Sequence, residues 1–163
     1  MPTILLICTA NQCRSPLAEG LLQRELSARG LDDWCVASAG AWAEDGRAAD
    51  RRSQAVAAEW GVDLSGHRAR RVDEMLLAQA DVVLCMERGH EEALRLEFPA
   101  LATRLHLFSE LGGLRYDIAD PVRGNMDDFR ALRRDLQRLI EVGMARLVAW
   151  GEGPHPPAPL FRG

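Results

Sequence analysis

The stretch TILLICTANQCRSP, residues 3–16, changes its pattern halfway along. Residues 3–7 form a short apolar run bounded by turn-forming residues, which is typical of a strand buried on both faces. Further on the spacing becomes helical, because apolar side chains recur along one stripe at Leu17, Leu21, Leu22 and Leu26. Pro16 and Gly30 fit the start and the end of that helix. The chain therefore opens with a strand, a tight loop and a helix.

The rest of the chain continues the alternation of strand and helix patterns. Short apolar runs predict three more strands, at residues 34–38, 80–86 and 104–108. Helical spacing predicts four more helices, at residues 51–60, 72–79, 87–98 and about 126–148. Such alternation favours an α/β fold, in which helices cover both faces of a parallel sheet. Ligands of these sheets bind beyond the carboxyl ends of the strands, so the loop after the first strand is the first candidate site.

Length and composition limit the class of protein. The chain has 163 residues, 47% apolar and 27% charged, as expected for one ordinary globular domain. A domain of this size buries roughly 70% of the surface of its unfolded chain, so it requires no disulfide frame or structural metal. The net charge of −4 argues against a nucleic-acid-binding protein. No apolar stretch reaches the ~20 residues of a membrane span and no signal peptide is recognisable, which predicts a cytoplasmic location and no membrane contact.

We assign residues 1–150 to a single domain and residues 151–163 to a tail. The tail has four prolines and three glycines among 13 residues, a composition that cannot pack a core, so we expect it to be disordered. The four cysteines suggest free thiols or catalysis in a cytoplasmic chain. The sequence has no C-x2-C pair and its histidines are scattered, so neither a metal site nor a cofactor is predicted.

Cys8 stands where the first strand ends, and Arg14 follows six positions later where the helix begins. The residues between them can wrap their N–H groups around one tetrahedral anion, to which the helix N-terminus adds donors and partial positive charge. Arg14 can hold two oxygens of that anion through its planar fork. The same field favours the thiolate of Cys8, which can attack phosphorus, and Ser15 can hydrogen-bond that thiolate. The alternative is a small buried cysteine and a surface arginine, because C-x5-R alone occurs by chance.

The other residues of this loop are candidates for substrate binding. Asn11 can adopt a left-handed backbone turn. Cys13 has two open interpretations: a reversible disulfide with Cys8 that protects the nucleophile, or burial in the helix start. Cys85 lies in a predicted buried strand and is assigned to the core. The predicted substrate-binding residues of the loop are Thr9, Ala10, Asn11, Gln12, Cys13 and Ser15.

A polar, glycine-rich passage at residues 110–124 contains a candidate general acid, Asp120. It lies between predicted elements, and Pro121 stiffens its backbone. Asp117 is a nearby competitor that lacks the following proline. The alternative is an ordinary Asp-Pro turn with a solvated carboxylate.

Several separated motifs, in the same order, resemble low-molecular-weight protein tyrosine phosphatases. That family opens with an apolar strand, then C-x-G-N-x-C-R-S-P and a helix, and this chain matches at Cys8, Asn11, Cys13, Arg14, Ser15 and Pro16. SAG at 38–40, HRAR at 67–70 and ADVVLCM at 80–86 resemble the end of its second strand, its H-x-A-R motif and its third strand. DPVRG at 120–124, with Phe129, resembles its D-P-x-x-G region. The similarity runs along nearly all of the chain.

The resemblance implies a doubly wound fold with a four-stranded parallel sheet and a phosphate loop after the first strand. It also implies that Cys8 attacks the phosphoryl group while Asp120 protonates the leaving oxygen, and that Asp120 then deprotonates the water that cleaves the phosphocysteine. His67 and Ser38 would join Asn11 in a hydrogen-bond network behind the loop. Bacterial relatives often oppose a tyrosine kinase in polysaccharide export, so such a kinase is a candidate partner. The sequence does not show the oligomeric state.

The chain departs from the family at the pocket. Ala10 replaces the usual glycine, and a positive φ there would cost alanine on the order of 1 kcal/mol. Val122 and Arg123 follow the Asp-Pro pair, where aromatic residues often wall a slot for the phosphotyrosine ring. Gln12 replaces a branched apolar residue. Trp42, in the loop after the second strand, can supply an aromatic wall, or it is a partly buried loop residue.

The leading prediction is a phosphotyrosine-protein phosphatase acting on phosphorylated protein side chains. The nearest alternative is a protein phosphoarginine phosphatase, because relatives with that activity differ at the position of Gln12. A thiol-relay arsenate reductase needs two further redox cysteines late in the chain, where only Cys85 lies. A non-catalytic phosphate-binding module is the alternative from another class, and the joint retention of Cys8, Arg14, Ser15 and Asp120 argues against it.

Overall fold

The structure, a computed structural model, describes residues 1–154. Four strands within this range form one parallel sheet: β1 Thr3–Cys8, β2 Cys35–Gly40, β3 Val82–Cys85 and β4 Leu105–Leu107. The order is β2-β1-β3-β4, so β1 is interior and pairs with both β2 and β3. Its residues are apolar because protein covers both of its faces. The predicted four-stranded parallel sheet is confirmed.

Helices connect the strands, as the alternating pattern predicted. Within residues 1–154 the α-helices are α1 Arg14–Ala28, α2 Arg51–Ala58, α3 Glu74–Gln79, α4 Arg88–Glu97 and α5 Met126–Glu152. Short 3₁₀ helices, Pro99–Leu101 and Phe108–Gly112, flank β4. The second of them begins at Phe108, which the sequence assigned to a strand, because β4 pairs with β3 only as far as Leu107.

The two faces of β1 enter two different hydrophobic cores. Ile4, Leu6 and Cys8 pack in the larger core, to which α1, α2 and α5 contribute. Leu5 and Ile7 pack in the smaller core, together with side chains of α3 and α4. Each fully buried leucine or isoleucine contributes about 1.5–3 kcal/mol to folding. Helices therefore cover both faces of the sheet, as predicted, and the end of β1 that carries Cys8 is fixed from both sides.

The last helix, α5, is longer than the helix predicted at about 126–148. It continues to Glu152, and Gly151 is buried, so the predicted tail is wrong in its first residues. A Cβ at Gly151 would lie 2.4 Å from the Trp34 ring, so the absent side chain makes room for that ring. Residues 155–163 of the predicted tail lie outside the described residues. No helix in the described range, α5 included, is long and apolar enough to cross a membrane.

Candidate active site

The Cys8 loop, residues 8–14, joins the end of β1 to the start of α1. The buried Cys8 Sγ accepts a hydrogen bond from the Asn11 N–H at 3.3 Å and lies 3.0 Å from Ser15 Oγ. Cys13 is the N-cap of α1, and its side chain accepts no bond from the first turn. The N–H groups of that turn can therefore serve an anion. A sulfur atom, a hydroxyl group and a helix N-terminus meet at one point.

Asn11 holds the shape of the loop. Its φ of 56° is the left-handed turn that the sequence allowed for. Its side chain is buried and donates to Ser15 Oγ and Ser38 Oγ, both at 2.8 Å, while its Oδ1 accepts the Arg70 N–H at 3.0 Å. His67 Nε2 lies 2.7 Å from the Asn11 carbonyl, which can only accept, so Nε2 carries the proton. The predicted network of Asn11, Ser38 and His67 is present.

The backbone of the loop lies directly on the end of β2. The N–H groups of Ala41 and Trp42 donate to the carbonyls of Cys8 and Thr9, each at 2.9 Å. A Cβ at Gly40 would lie only 2.6 Å from the Thr9 carbonyl oxygen, so this approach requires glycine. Asn11 alone among the described non-glycine residues has a positive φ, so the strain considered for Ala10 does not arise.

Arg14 is buried, and its guanidinium is held by protein acceptors. Nη1 donates to Glu87 Oε1 at 2.6 Å and to the Ile118 carbonyl at 2.7 Å. Nη2 donates to Thr9 Oγ1 at 3.3 Å and lies 3.6 Å from Asp120 Oδ2. Sequence reasoning missed Glu87. Its signal was its position just beyond the end of β3, because the carboxyl ends of parallel strands meet at one edge of a sheet.

His90 is a second residue that sequence reasoning missed. Its Nε2 lies 3.1 Å from Thr9 Oγ1 and 3.8 Å from Glu87 Oε2. Burial lowers the pKa of His90, and the carboxylate of Glu87 opposes that shift. The imidazole is therefore largely neutral at neutral pH. His90 thus contacts the Thr9 side chain of the Cys8 loop, as Glu87 contacts Arg14.

Asp120 and Asp117, the two candidate acids, have different surroundings. Asp117 Oδ1 accepts from the backbone N–H of Arg88 at 2.8 Å and from its Nε at 3.2 Å, and the backbone bond is the main reason that its pKa is lowered. Asp120 Oδ1 accepts only the N–H of Val122 at 3.1 Å, while Oδ2 faces Arg14. The Asp120 side chain is 38% exposed. Of the two candidate acids, Asp120 is the one whose carboxylate lies near the Arg14 guanidinium.

Cys13 and Cys85 are both free and buried. Burial, with a smaller contribution from the negative charges of Asp50 and Asp120, raises the pKa of Cys13 to about 12. Burial also raises the pKa of Cys85, in agreement with its assignment to the core. Within residues 1–154, no three His, Cys, Asp or Glu side chains form a group that could hold a metal ion.

The residues that depart from the family pattern lie around the loop. Trp42 is 75% exposed, so the alternative that it is a partly buried loop residue is wrong. The Arg71 guanidinium lies 5.6 Å from the centre of its ring. Val122 and Arg123 are exposed beside Asp120. Gln12 is half-buried, and its backbone carbonyl accepts the Asp50 N–H at 2.8 Å.

Most of the chain is similar to known phosphatases. The family model of low molecular weight phosphotyrosine protein phosphatase matches residues 3–149. Over 149 residues the chain is 34% identical to the probable low molecular weight protein-tyrosine-phosphatase EpsP of Ralstonia nicotianae, covering 91% of this chain and 98% of that protein. It is 33% identical to the protein-arginine-phosphatase of Geobacillus stearothermophilus over 139 residues, 85% of this chain and 90% of that one.

A solved structure agrees with these sequence matches. The low molecular weight protein tyrosine phosphatase from T. tengcongensis superposes with a TM-score of 0.84 at 33% identity, covering 90% of this chain and 99% of that one. The chain therefore belongs to the low molecular weight phosphotyrosine protein phosphatase family. Members of this family are cysteine-dependent hydrolases, so the family, the fold class and the enzyme class predicted from the sequence are confirmed.

Proposed function

We propose that this chain hydrolyses phosphotyrosine in proteins, with Cys8 as the nucleophile, Arg14 as the phosphate clamp and Asp120 as the general acid and base. The observation that carries the proposal is the arrangement around the Arg14 guanidinium. Its Nη1 is bonded to Glu87 and to the Ile118 carbonyl, and its Nη2 lies 3.3 Å from Thr9 Oγ1 of the Cys8 loop and 3.6 Å from the Asp120 carboxylate. A nucleophile, an anion clamp and a proton donor are thereby brought together.

In the first step the Cys8 thiolate attacks phosphorus. A phosphorus–sulfur bond forms, the bond from phosphorus to the tyrosine oxygen breaks, and Asp120 gives its proton to that oxygen. Arg14 and the N–H groups of the Cys8 loop bind the remaining oxygens as their charge changes. Thr9, Ala10, Asn11, Gln12, Cys13 and Ser15 contribute to this binding through the loop, and Trp42 contacts the aromatic ring of the substrate.

In the second step water cleaves the phosphocysteine. The ionised Asp120 takes a proton from the attacking water, a phosphorus–oxygen bond forms, and the phosphorus–sulfur bond breaks with its electrons returning to Cys8. The Ser15 hydroxyl and the Asn11 N–H, which already lie 3.0 Å and 3.3 Å from Sγ, stabilise the departing thiolate. Inorganic phosphate is released, and Asp120 regains its proton for the next turnover.

Phosphoarginine is the second candidate substrate. Polar Gln12 and the exposed Val122 and Arg123 replace residues that would favour a flat aromatic slot, and one relative at 33% identity is a protein-arginine-phosphatase. The same residues would then cleave a phosphorus–nitrogen bond, with Asp120 protonating nitrogen. A tyrosine kinase as partner and a cytoplasmic location remain predictions from the sequence.

A paired assay tests the proposal. Turnover of a phosphotyrosine peptide and of a phosphoarginine protein is measured on one preparation, with Cys8→Ser as the control. We expect a higher kcat/KM for phosphotyrosine and no turnover of either substrate by Cys8→Ser. Full turnover by that variant would falsify the mechanism, and a preference for phosphoarginine would select the second candidate. Tight phosphopeptide binding without turnover by the wild-type chain would instead indicate a non-catalytic binding module.

A further inference from the structure

The Asp120 loop, residues 118–124, is bonded to one arginine that lies outside the catalytic set. Arg52 Nη1 donates to the Gly124 carbonyl at 2.9 Å, and its Nη2 donates to the Val122 carbonyl at 3.0 Å. Val122 is two residues beyond Asp120, and its own N–H binds the Asp120 carboxylate. A side chain in the first turn of α2 therefore holds the backbone on which Asp120 is carried.

Arg52 itself is fixed in one orientation. Its Nε and Nη2 donate to the two carboxylate oxygens of Asp50 at 3.1 Å and 2.9 Å, and its guanidinium lies 4.4 Å from the centre of the buried Phe129 ring. The hydrogen bond to Arg52 is also the main reason that the pKa of Asp50 is lowered. Because the Arg52 guanidinium is bonded to Asp50 and stacked on Phe129, it has little freedom to rotate. It can therefore hold the Val122 and Gly124 carbonyls in one place.

The same segment is bonded to the Cys8 loop at its other side. The Asp50 N–H donates to the Gln12 carbonyl at 2.8 Å, and Ser53 Oγ donates to the Cys13 carbonyl at 3.3 Å. Residues 50–53 thus bind the loop of the nucleophile and, through Arg52, the loop of the acid. These two loops are more than a hundred residues apart in sequence and have this short segment in common.

A pocket lies between part of the Asp120 loop and α5. A cavity of about 380 Å³ separates Ala119, Asp120 and Pro121 from the Ala131, Leu132 and Asp135 side of α5. The loop is fastened at its first residue, where the Ile118 N–H donates to the Met86 carbonyl at 2.8 Å. Arg14 contacts the Ile118 carbonyl and Asp120, and the bonds of Arg52 to the Val122 and Gly124 carbonyls hold the other end of the loop.

We propose that Arg52 is a positioning residue that sets the distance between Asp120 and the leaving atom of the substrate bound at Cys8. This inference rests on the proposed role of Asp120 as general acid. A displacement of about 1 Å in a catalytic group can cost on the order of 100-fold in rate. Loss of Arg52 should therefore impair proton transfer to the leaving group and leave the nucleophile intact.

The test compares aryl phosphates whose leaving phenols range from good to poor, using wild type, Asp120→Ala, Arg52→Gln, Arg52→Lys and the double variant Arg52→Gln/Asp120→Ala. Arg130→Ala is the matched control, because Arg130 pairs with Glu59 and Asp127 on the surface and touches neither loop. Thermal unfolding and the rate of Cys8 alkylation by iodoacetate are measured on each protein. They show whether the fold and the Cys8 loop are intact.

We expect Arg52→Gln to lower kcat/KM, which reports the first step, on the order of 10-fold to 100-fold for poor leaving groups and only slightly for good ones, as Asp120→Ala does more strongly. Arg52→Lys, which keeps the charge but not the fork, should fall between wild type and Arg52→Gln. In the Asp120→Ala background, Arg52→Gln should add little further loss, and Arg130→Ala should behave as wild type.

Equal slowing by Arg52→Gln for good and poor leaving groups, or a fully additive loss in the double variant, would overturn the positioning role while leaving Asp120 as the acid. If Asp120→Ala itself shows no dependence on the leaving group, the proposed function of Asp120 fails, and the role of Arg52 fails with it. These two failures are distinguished by which single variant departs from expectation.

Discussion

At the scale of single residues, the four cysteines of the chain differ in what surrounds their sulfur atoms. Cys8 Sγ meets an N–H group and a hydroxyl group, whereas Cys13, which belongs to the same loop, has its pKa raised to about 12 by burial and nearby carboxylates. Cys85 is fully enclosed in the sheet, and Cys35 is exposed. At neutral pH Cys13 is therefore a thiol, and nucleophilic chemistry in the loop is left to Cys8. A disulfide between Cys8 and Cys13 stays one of the two interpretations of Cys13 that the sequence left open.

Alkylation should separate the four thiols. With iodoacetate near pH 7, we expect modification of Cys8 and Cys35, with Cys13 and Cys85 unmodified in the folded protein, because the thiolate is the reactive form. Added inorganic phosphate should protect Cys8, since it competes for the same N–H donors, and it should leave the rate at Cys35 unchanged. Peptide mapping by mass spectrometry measures each site. Faster labelling of Cys13 than of Cys8, or equal protection of Cys8 and Cys35, would contradict this assignment.

At the scale of secondary-structure elements, the site is built from the carboxyl ends of neighbouring parallel strands. β1 ends at Cys8, β3 is followed by Glu87, and β2 ends at Gly40 beneath the Cys8 loop. The contact at Gly40 leaves no room for a side chain, because a Cβ there would lie 2.6 Å from the carbonyl oxygen of Thr9. The conformation of the loop thus depends on the strand beside it as well as on its own sequence.

A Gly40→Ala substitution should show this dependence. The new Cβ would lie 2.6 Å from the Thr9 oxygen, so we expect a loss of about 1–3 kcal/mol in stability by overpacking together with a lower kcat/KM. Gly89→Ala is the matched control: it lies in α4 with nothing within 4 Å of its added Cβ. The control should be neutral or slightly stabilising. Denaturant unfolding and aryl phosphate turnover measure both effects, and unchanged turnover in a destabilised Gly40→Ala protein would argue against the coupling.

At the scale of the whole molecule, the two ends of α5 contact different parts of the fold. Its first turn lies near the Asp120 loop, and its last turn packs Gly151 against Trp34. There Trp150 also stacks on His106 of the edge strand β4, with ring centroids 3.8 Å apart and an angle of 9° between the planes. Burial lowers the pKa of His106, although Glu110 and Glu91 oppose that shift. The contact is therefore made by a neutral imidazole.

This contact predicts how stability depends on pH. A histidine with a lowered pKa in the folded state binds fewer protons there than in the unfolded chain, whose value is about 6.5. Stability is thus lost as pH falls below about 6.5 toward the folded-state pKa. His106→Phe keeps the ring stack and removes the titration, so its stability should fall less between pH 7 and pH 5.5. Urea unfolding across this range measures the difference, and parallel curves for the two proteins would refute the prediction.

The secondary structure was largely predictable, and the errors were at the ends of elements. Period-2 and period-3.6 patterns are local, so they identified the strands and helices that form the sheet and its two covering layers. The end of an element depends on its partner instead. Of the strand predicted at 80–86, only Val82–Cys85 pairs as β3. The helix predicted to end near 148 continues to Glu152, where Trp34 packs against Gly151.

By itself the sequence determined the strand, loop and helix around Cys8 and Arg14, because those residues are neighbours along the chain, and the order of several separated motifs indicated the family. The tertiary structure alone decided which distant groups support them. Glu87 binds Arg14 from 73 residues away, and Arg52 reaches Gly124 across 72. Such contacts follow from strand order and from how helices pack on the sheet, which no local pattern encodes. The nucleophile and the phosphate clamp are therefore predictable from one short segment, whereas the geometry of the site depends on the whole fold.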